Sequence, residues 1–253
     1  MVRMITPEGI KLSKVSFSYM KGKAVLDDIS LFIEKGGFLG ITGVNGSGKS
    51  TFSYLLNGLI PHTIKGHLEG SITVDGTDTR KRDVPYFAGK IGMVFQNPDY
   101  SLFNLTVYEE LEFGLKNLKY DNHKERIRNA LAIVGMESFS ARDPQSLSYG
   151  EKQKISLAMV LAMDTEYIVL DEPSAMLDYK SSIELYEILA ELNNQGKTVL
   201  TIEHDTDFLW KYVSKTVIFD SGRIAHHGNT KDILSKENML KKLGIKIPNY
   251  NYD

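Results

Sequence analysis

Residues 43–50 read Gly-Val-Asn-Gly-Ser-Gly-Lys-Ser, and no other stretch restricts the fold of this chain so tightly. They match G-x-x-x-x-G-K-[ST] at every fixed position. Before them, residues 38–42 (Phe-Leu-Gly-Ile-Thr) form a short apolar run of strand type; after them, residues 50–56 read as the start of a helix. That order builds a phosphate cradle. Gly43, Gly46 and Gly48 let the backbone curl, so that the N–H groups of the loop, Asn45 and Ser47 included, point at a β-phosphate. The helix beginning at Ser50 and Thr51 turns its positive dipole end toward the anion. Lys49 bridges β- and γ-phosphate oxygens, and the Ser50 hydroxyl is placed to ligate Mg²⁺. A chance match in a chain of this size has odds of about one in a hundred on average residue usage. ATP with Mg²⁺ is therefore the expected ligand pair.

Length and charge narrow the setting. The 253 residues suit one large α/β domain, and residues 1–253 read as a single unit. A net charge of -2 gives no electrostatic case for nucleic-acid binding. There is no cysteine, which excludes disulfides and thiolate metal sites and fits a reducing compartment. Residues 1–10 lack the apolar run of a signal peptide. No stretch approaches the ~18 apolar residues of a membrane span; the richest, residues 155–163, is too short. If a chain like this serves a membrane, it does so from outside the bilayer.

Hydrophobic periodicity divides the chain into three stretches. Near the start, residues 14–19 alternate through Val15, Phe17 and Tyr19, as do Ile29, Leu31 and Ile33, and Ile72 and Val74 before the turn Asp75-Gly76. The middle, about 100–165, changes to helical spacing. Thr106 and Glu109 form a capping box, Asn122 and Glu125 cap a second helix, and residues 150–163 read as a third. From there strands at 167–170, 198–202 and 216–219 alternate with helices at 179–193 and 205–212, and a short tail follows from about 230. The βαβα rhythm argues an α/β fold with a mainly parallel sheet covered by helices, and with the phosphate loop the expected class is a P-loop NTPase (RecA-like) fold. Its mainly parallel core sheet is joined by an N-terminal antiparallel β subdomain and a helical insertion.

A second acidic site follows from the strand at 167–170, which ends in Asp171 and Glu172. Ligands sit at the carboxyl ends of parallel strands. Asp171 is placed to hold Mg²⁺ through its water shell, and Glu172 to polarise an attacking water. The alternative for such a pair is simple helix capping.

With both sites in place, the chain resembles the ABC (ATP-binding cassette) ATPases along nearly its whole length. Several assignments are implied by that resemblance. Tyr19 matches the aromatic that stacks on adenine. Gln96, after the strand at 91–95, matches the Q-loop glutamine that touches Mg²⁺ and the γ-phosphate side. Residues 147–153 (Leu-Ser-Tyr-Gly-Glu-Lys-Gln) resemble the signature L-S-G-G-Q, which would place Ser148, Tyr149, Gly150 and Glu151 over ATP on an opposite subunit. Residues 174–178 resemble the D-loop ending in Asp178, and His204 resembles the switch histidine at the γ-phosphate. Glu172, His204 and Gln96 are then the catalytic group. Three positions depart from the family pattern: Tyr149 for the first signature glycine, Glu151 for glutamine and Met176 for the D-loop glycine. Tyr149 is expected to crowd the approach to the opposite phosphate, and Glu151 to place a negative charge near it. His226-His227 reads as an exposed strand end in preference to a metal site.

The segment Val94-Phe-Gln-Asn-Pro-Asp99, with Leu102-Phe103, Thr106-Val107 and the ending at 240–248, is similar to the energising subunits of energy-coupling-factor (ECF) transporters and cobalt or nickel importers. That resemblance implies import of a vitamin or transition metal. It also implies three partners: a second ATPase subunit, a transmembrane coupling protein and a substrate-binding membrane protein. The implied location is peripheral, on the cytoplasmic face of the cell membrane. Leu102, Phe103 and Leu105 are the expected apolar docking residues, and the altered signature points to an unlike second ATPase subunit. Two other readings share the P-loop: a soluble ABC ATPase acting outside transport, and a regulatory partner that binds ATP with little turnover.

Overall fold

The computed structural model describes residues 8–251; the reading of residues 1–7 as free of a signal peptide, and the last two residues of the tail, lie outside them. In chain order the elements begin with β1 (Gly9–Ser18), β2 (Leu26–Glu34), β3 (Phe38–Gly43) and α1 (Lys49–Leu56). Next come α2 (Leu59–His62), β4 (His67–Val74), β5 (Thr77–Asp78), α3 (Val84–Ala88) and β6 (Ile91–Val94). Three helices follow: α4 (Val107–Asn117), α5 (His123–Ile133) and α6 (Tyr149–Ala162). The remainder is β7 (Tyr167–Asp171), α7 (Tyr179–Asn194), β8 (Thr198–Ile202), α8 (Thr206–Tyr212), β9 (Lys215–Asp220), β10 (Arg223–Asn229), α9 (Thr230–Leu234) and α10 (Glu237–Lys242).

Two sheets result. Strands β2-β1-β4-β5 form an antiparallel sheet, and β10-β9-β3-β8-β7-β6 form a second. In the second sheet β3 pairs parallel with β8 and β9, β7 pairs parallel with β6 and β8, and β10 closes one edge antiparallel to β9. Every residue of β3, β7 and β8 is buried, as expected of central parallel strands covered on both faces. One face packs Ile41, Val169 and Leu200 against Phe52 and Leu55 of α1 and against Ile10, Phe17 and Ile72 of the antiparallel sheet. The other packs Ile168, Leu170 and Val199 against α6, α7 and α8 through Leu157, Tyr186 and Leu209.

The helices between β6 and β7 start largely as their sequences direct. Thr106 and Glu109 form the capping box of α4, and a second box, Ser148 with Glu151, opens α6 one residue earlier than expected. Asn122 differs: it sits at φ 58, outside the extended conformation from which an N-cap side chain reaches the first-turn amides, and makes no side-chain cap; its carbonyl accepts from Glu125 and Arg126 N at 3.1 Å. Strand β1 also runs longer than its alternation suggested. Register shifts between Leu12 and Val15 break the period, so only its second half reads as a strand in sequence. Tyr19 falls just beyond its end.

One turn ties the two sheets together. Asp75, at φ 46 between β4 and β5, accepts from the Tyr167 hydroxyl of β7 at 2.6 Å, from Lys90 Nζ at 3.0 Å and from Gly9 N at 3.2 Å. Burial works against its charge, yet these three donors hold the carboxyl below its ordinary value of 3.8. Asp75→Asn keeps a residue that tolerates the left-handed turn and removes the charge. It should cost about 1–3 kcal/mol of unfolding free energy near pH 7. A depressed carboxyl contributes stability above its unfolded value and loses it as pH falls through the folded one. The gap between the two proteins in urea titrations should therefore close below about pH 4; a gap that is constant with pH would remove Asp75's charge from the account.

Candidate nucleotide site

Backbone register assembles the site. Ile41 of β3 lies opposite Ile202 of β8, and Ile202 lies opposite Asp171 of β7, so three adjacent parallel strands end level. The chain leaves those ends as Gly43 and its loop, Asp171-Glu172, and Glu203-His204. The phosphate loop needs glycine for stated reasons. At Gly43, φ 146, an added Cβ would lie 2.2 Å from the Phe219 carbonyl oxygen; at Gly48, φ 104, it would meet Leu26 at 2.7 Å and the Val25 oxygen at 2.9 Å. Gly48 caps α1 without a side chain, so the first-turn amides of Lys49, Ser50 and Thr51 are left to an anion. Val44, Asn45 and Gly46 form the exposed tip, and Ser47 is buried behind it.

Lys49 is buried, and its ammonium donates to the Gly43 carbonyl at 2.8 Å and the Val44 carbonyl at 3.1 Å, inside the curve of the loop. Burial lowers its pKa, against the pull of Glu172 and Asp171. Asp171 is buried as well, and burial raises its carboxyl, opposed by the Ser50 hydroxyl and Lys49. One of its oxygens, Oδ1, has no hydrogen-bond partner. A lone buried carboxylate beside a serine hydroxyl is a donor set that fits Mg²⁺, which takes one or two protein ligands and completes its octahedron with water and phosphate. Among the described residues no cluster of three His, Asp or Glu side chains could hold a metal unaided. His226 and His227 accordingly stand on the exposed strand β10.

Glu172 occupies φ 48, a conformation uncommon outside glycine, and its N–H is fixed to the Ile202 carbonyl at 2.9 Å. Its carboxylate accepts from Gln96 Nε2 at 2.7 Å, and its other oxygen meets His204 Nε2 at 3.0 Å. The three residues assigned to catalysis are thus in direct contact. Tyr19 packs edge-on against Phe17 and places its hydroxyl 2.9 Å from Thr51 Oγ1, beside the loop.

The signature residues lie elsewhere. Ser148, Tyr149, Gly150 and Glu151 line a cleft of about 350 Å³ together with Met176 and Asp178, and no loop residue from 43–51 lines it. Asp178 caps α7 through Ser181 N at 2.8 Å. Within their own subunit the Tyr149 and Glu151 side chains are both tied down. Glu151 turns back to accept from Ser148 N at 2.7 Å, and the Tyr149 hydroxyl donates to the Gln96 carbonyl at 2.6 Å.

One residue escaped the sequence reading. Glu203, buried at the end of β8, accepts from Ser174 Oγ at 2.7 Å and from His204 N at 3.2 Å, and burial raises its pKa. It joins the segment at Ser174 to His204. An acid directly following a short, β-branched strand was the available signal.

The ABC transporter family profile matches residues 26–175. A putative ABC transporter ATP-binding protein of Pyrococcus abyssi is 43% identical over 94% of this chain and 87% of its own length. The chain belongs to the ABC transporter ATP-binding family. It is also 38% identical to the energy-coupling factor transporter ATP-binding protein EcfA1 of Fusobacterium nucleatum, over 96% of this chain and 94% of that one. Among solved structures, CbiO1 of Clostridium perfringens, described as part of the ABC transporter complex cbiONQ, superposes with a TM-score of 0.82 at 30% identity, covering 94% of this chain and 95% of its own. The fold is the P-loop ATPase cassette, the protein is an ABC ATPase, and its relatives include ECF-type subunits.

Glu172→Gln should keep ATP binding, since an amide can still meet both Gln96 and His204. Hydrolysis should drop by about 10²–10⁴-fold, the usual worth of a general base. Fluorescent-nucleotide titration and phosphate release in the assembled complex separate the two effects, with Lys49→Ala as the control that loses binding. Full turnover by Glu172→Gln would reassign the catalytic carboxylate.

Proposed function

We propose that this chain energises an ECF-type importer of a vitamin or transition metal, from a peripheral position on the cytoplasmic face of the membrane. No helix among the described residues is long and apolar enough to cross a bilayer, so attachment runs through protein contacts. The observation that carries the reading is an apolar surface on the segment after Gln96. Phe103 and Leu105 are 62% and 81% exposed, Tyr100 stands out beside them, and Phe103 packs edge-on against the half-exposed Phe113 at 5.1 Å. A buried carboxylate holds this loop in shape. Glu110 of α4 accepts from the backbone N–H groups of Phe103 and Asn104 and, at 2.8 Å, from the Asn104 amide. Leu102, expected to share the docking surface, is only 2% exposed and belongs to the core. A coupling protein of the membrane would seat on Tyr100, Phe103, Leu105 and Phe113, next to the Gln96 that contacts Glu172.

ATP is bound between two ATPase subunits, the P-loop of one facing the signature of the other. The separation of the signature cleft from the loop within one chain supports that arrangement. Mg²⁺ would be held by Ser50, Asp171 and Gln96 and supplies charge neutralisation at the phosphates. Glu172 orients and deprotonates the attacking water, His204 donates toward the γ-phosphate, and the loop amides with Lys49 stabilise the charge on the transferred group. The second subunit is an unlike one. A tyrosine fastened to its own Q-loop gives this signature less backbone freedom than glycine would, and a heterodimer confines it to one of the two ATP sites.

Phe103→Asp with Leu105→Asp should release the subunit from its membrane complex on co-purification while nucleotide affinity stays unchanged; intact recovery would refute the docking surface. The purified chain alone should hydrolyse ATP about 10²–10³-fold more slowly than with its co-expressed partner, the cost of an imperfect set of transition-state donors. A rate for the chain alone that rises with its own concentration to that of the native complex would establish a competent homodimer instead.

A further inference from the structure

Tyr149 has no role in the scheme above beyond occupying a signature position, yet it makes one of the shortest hydrogen bonds near the site. Its hydroxyl donates to the Gln96 carbonyl at 2.6 Å across 53 residues of sequence. The Gln96 side chain, in turn, donates to Glu172 Oε2 at 2.7 Å, and Glu172 Oε1 meets His204 at 3.0 Å. One continuous chain of contacts therefore runs from the first residue of α6 to the carboxylate beside the chain's own P-loop. A second strut lies parallel to it: Lys152, one turn further along α6, pairs with Asp99 of the Q-loop segment at 2.6 Å. The far end of Tyr149 is equally well fixed. It sits in the first turn of α6 between Ser148 and Glu151, whose reciprocal capping bonds (2.7 Å and 3.4 Å) lock that turn.

We infer that Tyr149 is a positioning residue that transmits the state of Gln96 at this subunit's own nucleotide to the signature turn it presents to the partner's nucleotide. The inference rests on the proposed placement of the signature in trans. A glycine at this position has no side chain to reach Gln96, so the link is a property of the tyrosine. When the Gln96 side chain exchanges Glu172 for ligands at the γ-phosphate, its carbonyl moves with the loop, and the rigid phenol draws the Ser148–Glu151 turn after it. Two discrete positions of Gln96 thereby become two positions of the signature. The tyrosine touches no reacting atom of its own site.

The test isolates this intrachain route. Ser148→Asp keeps a good N-cap for α6 and sets a negative charge against the partner's phosphate, which blocks contact in trans. In that background, amide exchange over residues 148–152 is measured with and without a non-hydrolysable ATP analogue, before and after Tyr149→Phe. With the tyrosine present, the analogue at the P-loop should change exchange in the signature turn. Tyr149→Phe should reduce that change by about fivefold, the equilibrium equivalent of one hydrogen bond, while analogue affinity holds and the thermal midpoint falls by no more than about 2–4 °C. Equal nucleotide-dependent changes with and without the hydroxyl would overturn the inference. The trans reading is judged separately by the ATPase rate of the assembled Ser148→Asp complex: collapse supports it, and an undiminished rate sinks it whatever the exchange data show.

Discussion

The level ending of β3, β8 and β7 is the constraint on which the site depends. Hydrogen-bond register sets Ile41, Ile202 and Asp171 in one row, and that row decides where the loop, the acids and the histidine emerge. None of these residues is close to the others in sequence. A slip of one residue in any of the three strands would turn its side chains to the other face. The register is protected by burial on both faces, so no solvent-tolerant alternative competes with it. The strain at Glu172 belongs to the same constraint. Its positive φ is held by the bond from its own N–H to Ile202, the residue that fixes the row.

Beyond the strand ends, buried and half-buried carboxylates do much of the joining. Asp75 ties the antiparallel sheet to β7, Glu110 shapes the loop after Gln96, and Glu203 connects the segment at Ser174 to His204. In each case the acid accepts several donors, at least one of them a backbone N–H. A carboxylate is suited to this task because its two oxygens accept several bonds without a donor of its own to satisfy. The cost is desolvation of the charge, which the donors offset only if the loops stay where they are. These loops are therefore fixed by electrostatics where the core cannot reach them.

Much of this was legible in the residues. The phosphate loop, the acidic pair after β7, the alternation of strands and helices and the capping box at Thr106 all rest on local rules, and local rules survive folding. What failed was non-local. The first half of β1 was hidden because a bulge breaks the period of two, and Leu102 was taken for surface because an apolar residue between exposed neighbours carries no sign of which way it points. The contact made by Tyr149 was equally hidden: its partner, the Gln96 carbonyl, is 53 positions away in sequence.

Charge balance explains why such a site is built to be completed by others. Lys49 faces both Asp171 and Glu172, and burial weakens the ammonium while raising the carboxyl of Asp171. Within one chain, acids thus outnumber the cation at the place where a triphosphate must sit. The loop amides and the α1 dipole supply partial positive charge, but these act on the β-phosphate, where they point. A γ-phosphoryl group would lie further out, toward Gln96, Glu172 and His204, where neither Gln96 nor Glu172 brings positive charge. Stabilising the negative charge that spreads over that group requires a divalent cation on one side and donors from a second subunit on the other. On the proposed pairing, hydrolysis would depend on closure, because the proposed water-activating groups lie in one chain and part of the transition-state stabilisation would come from its neighbour.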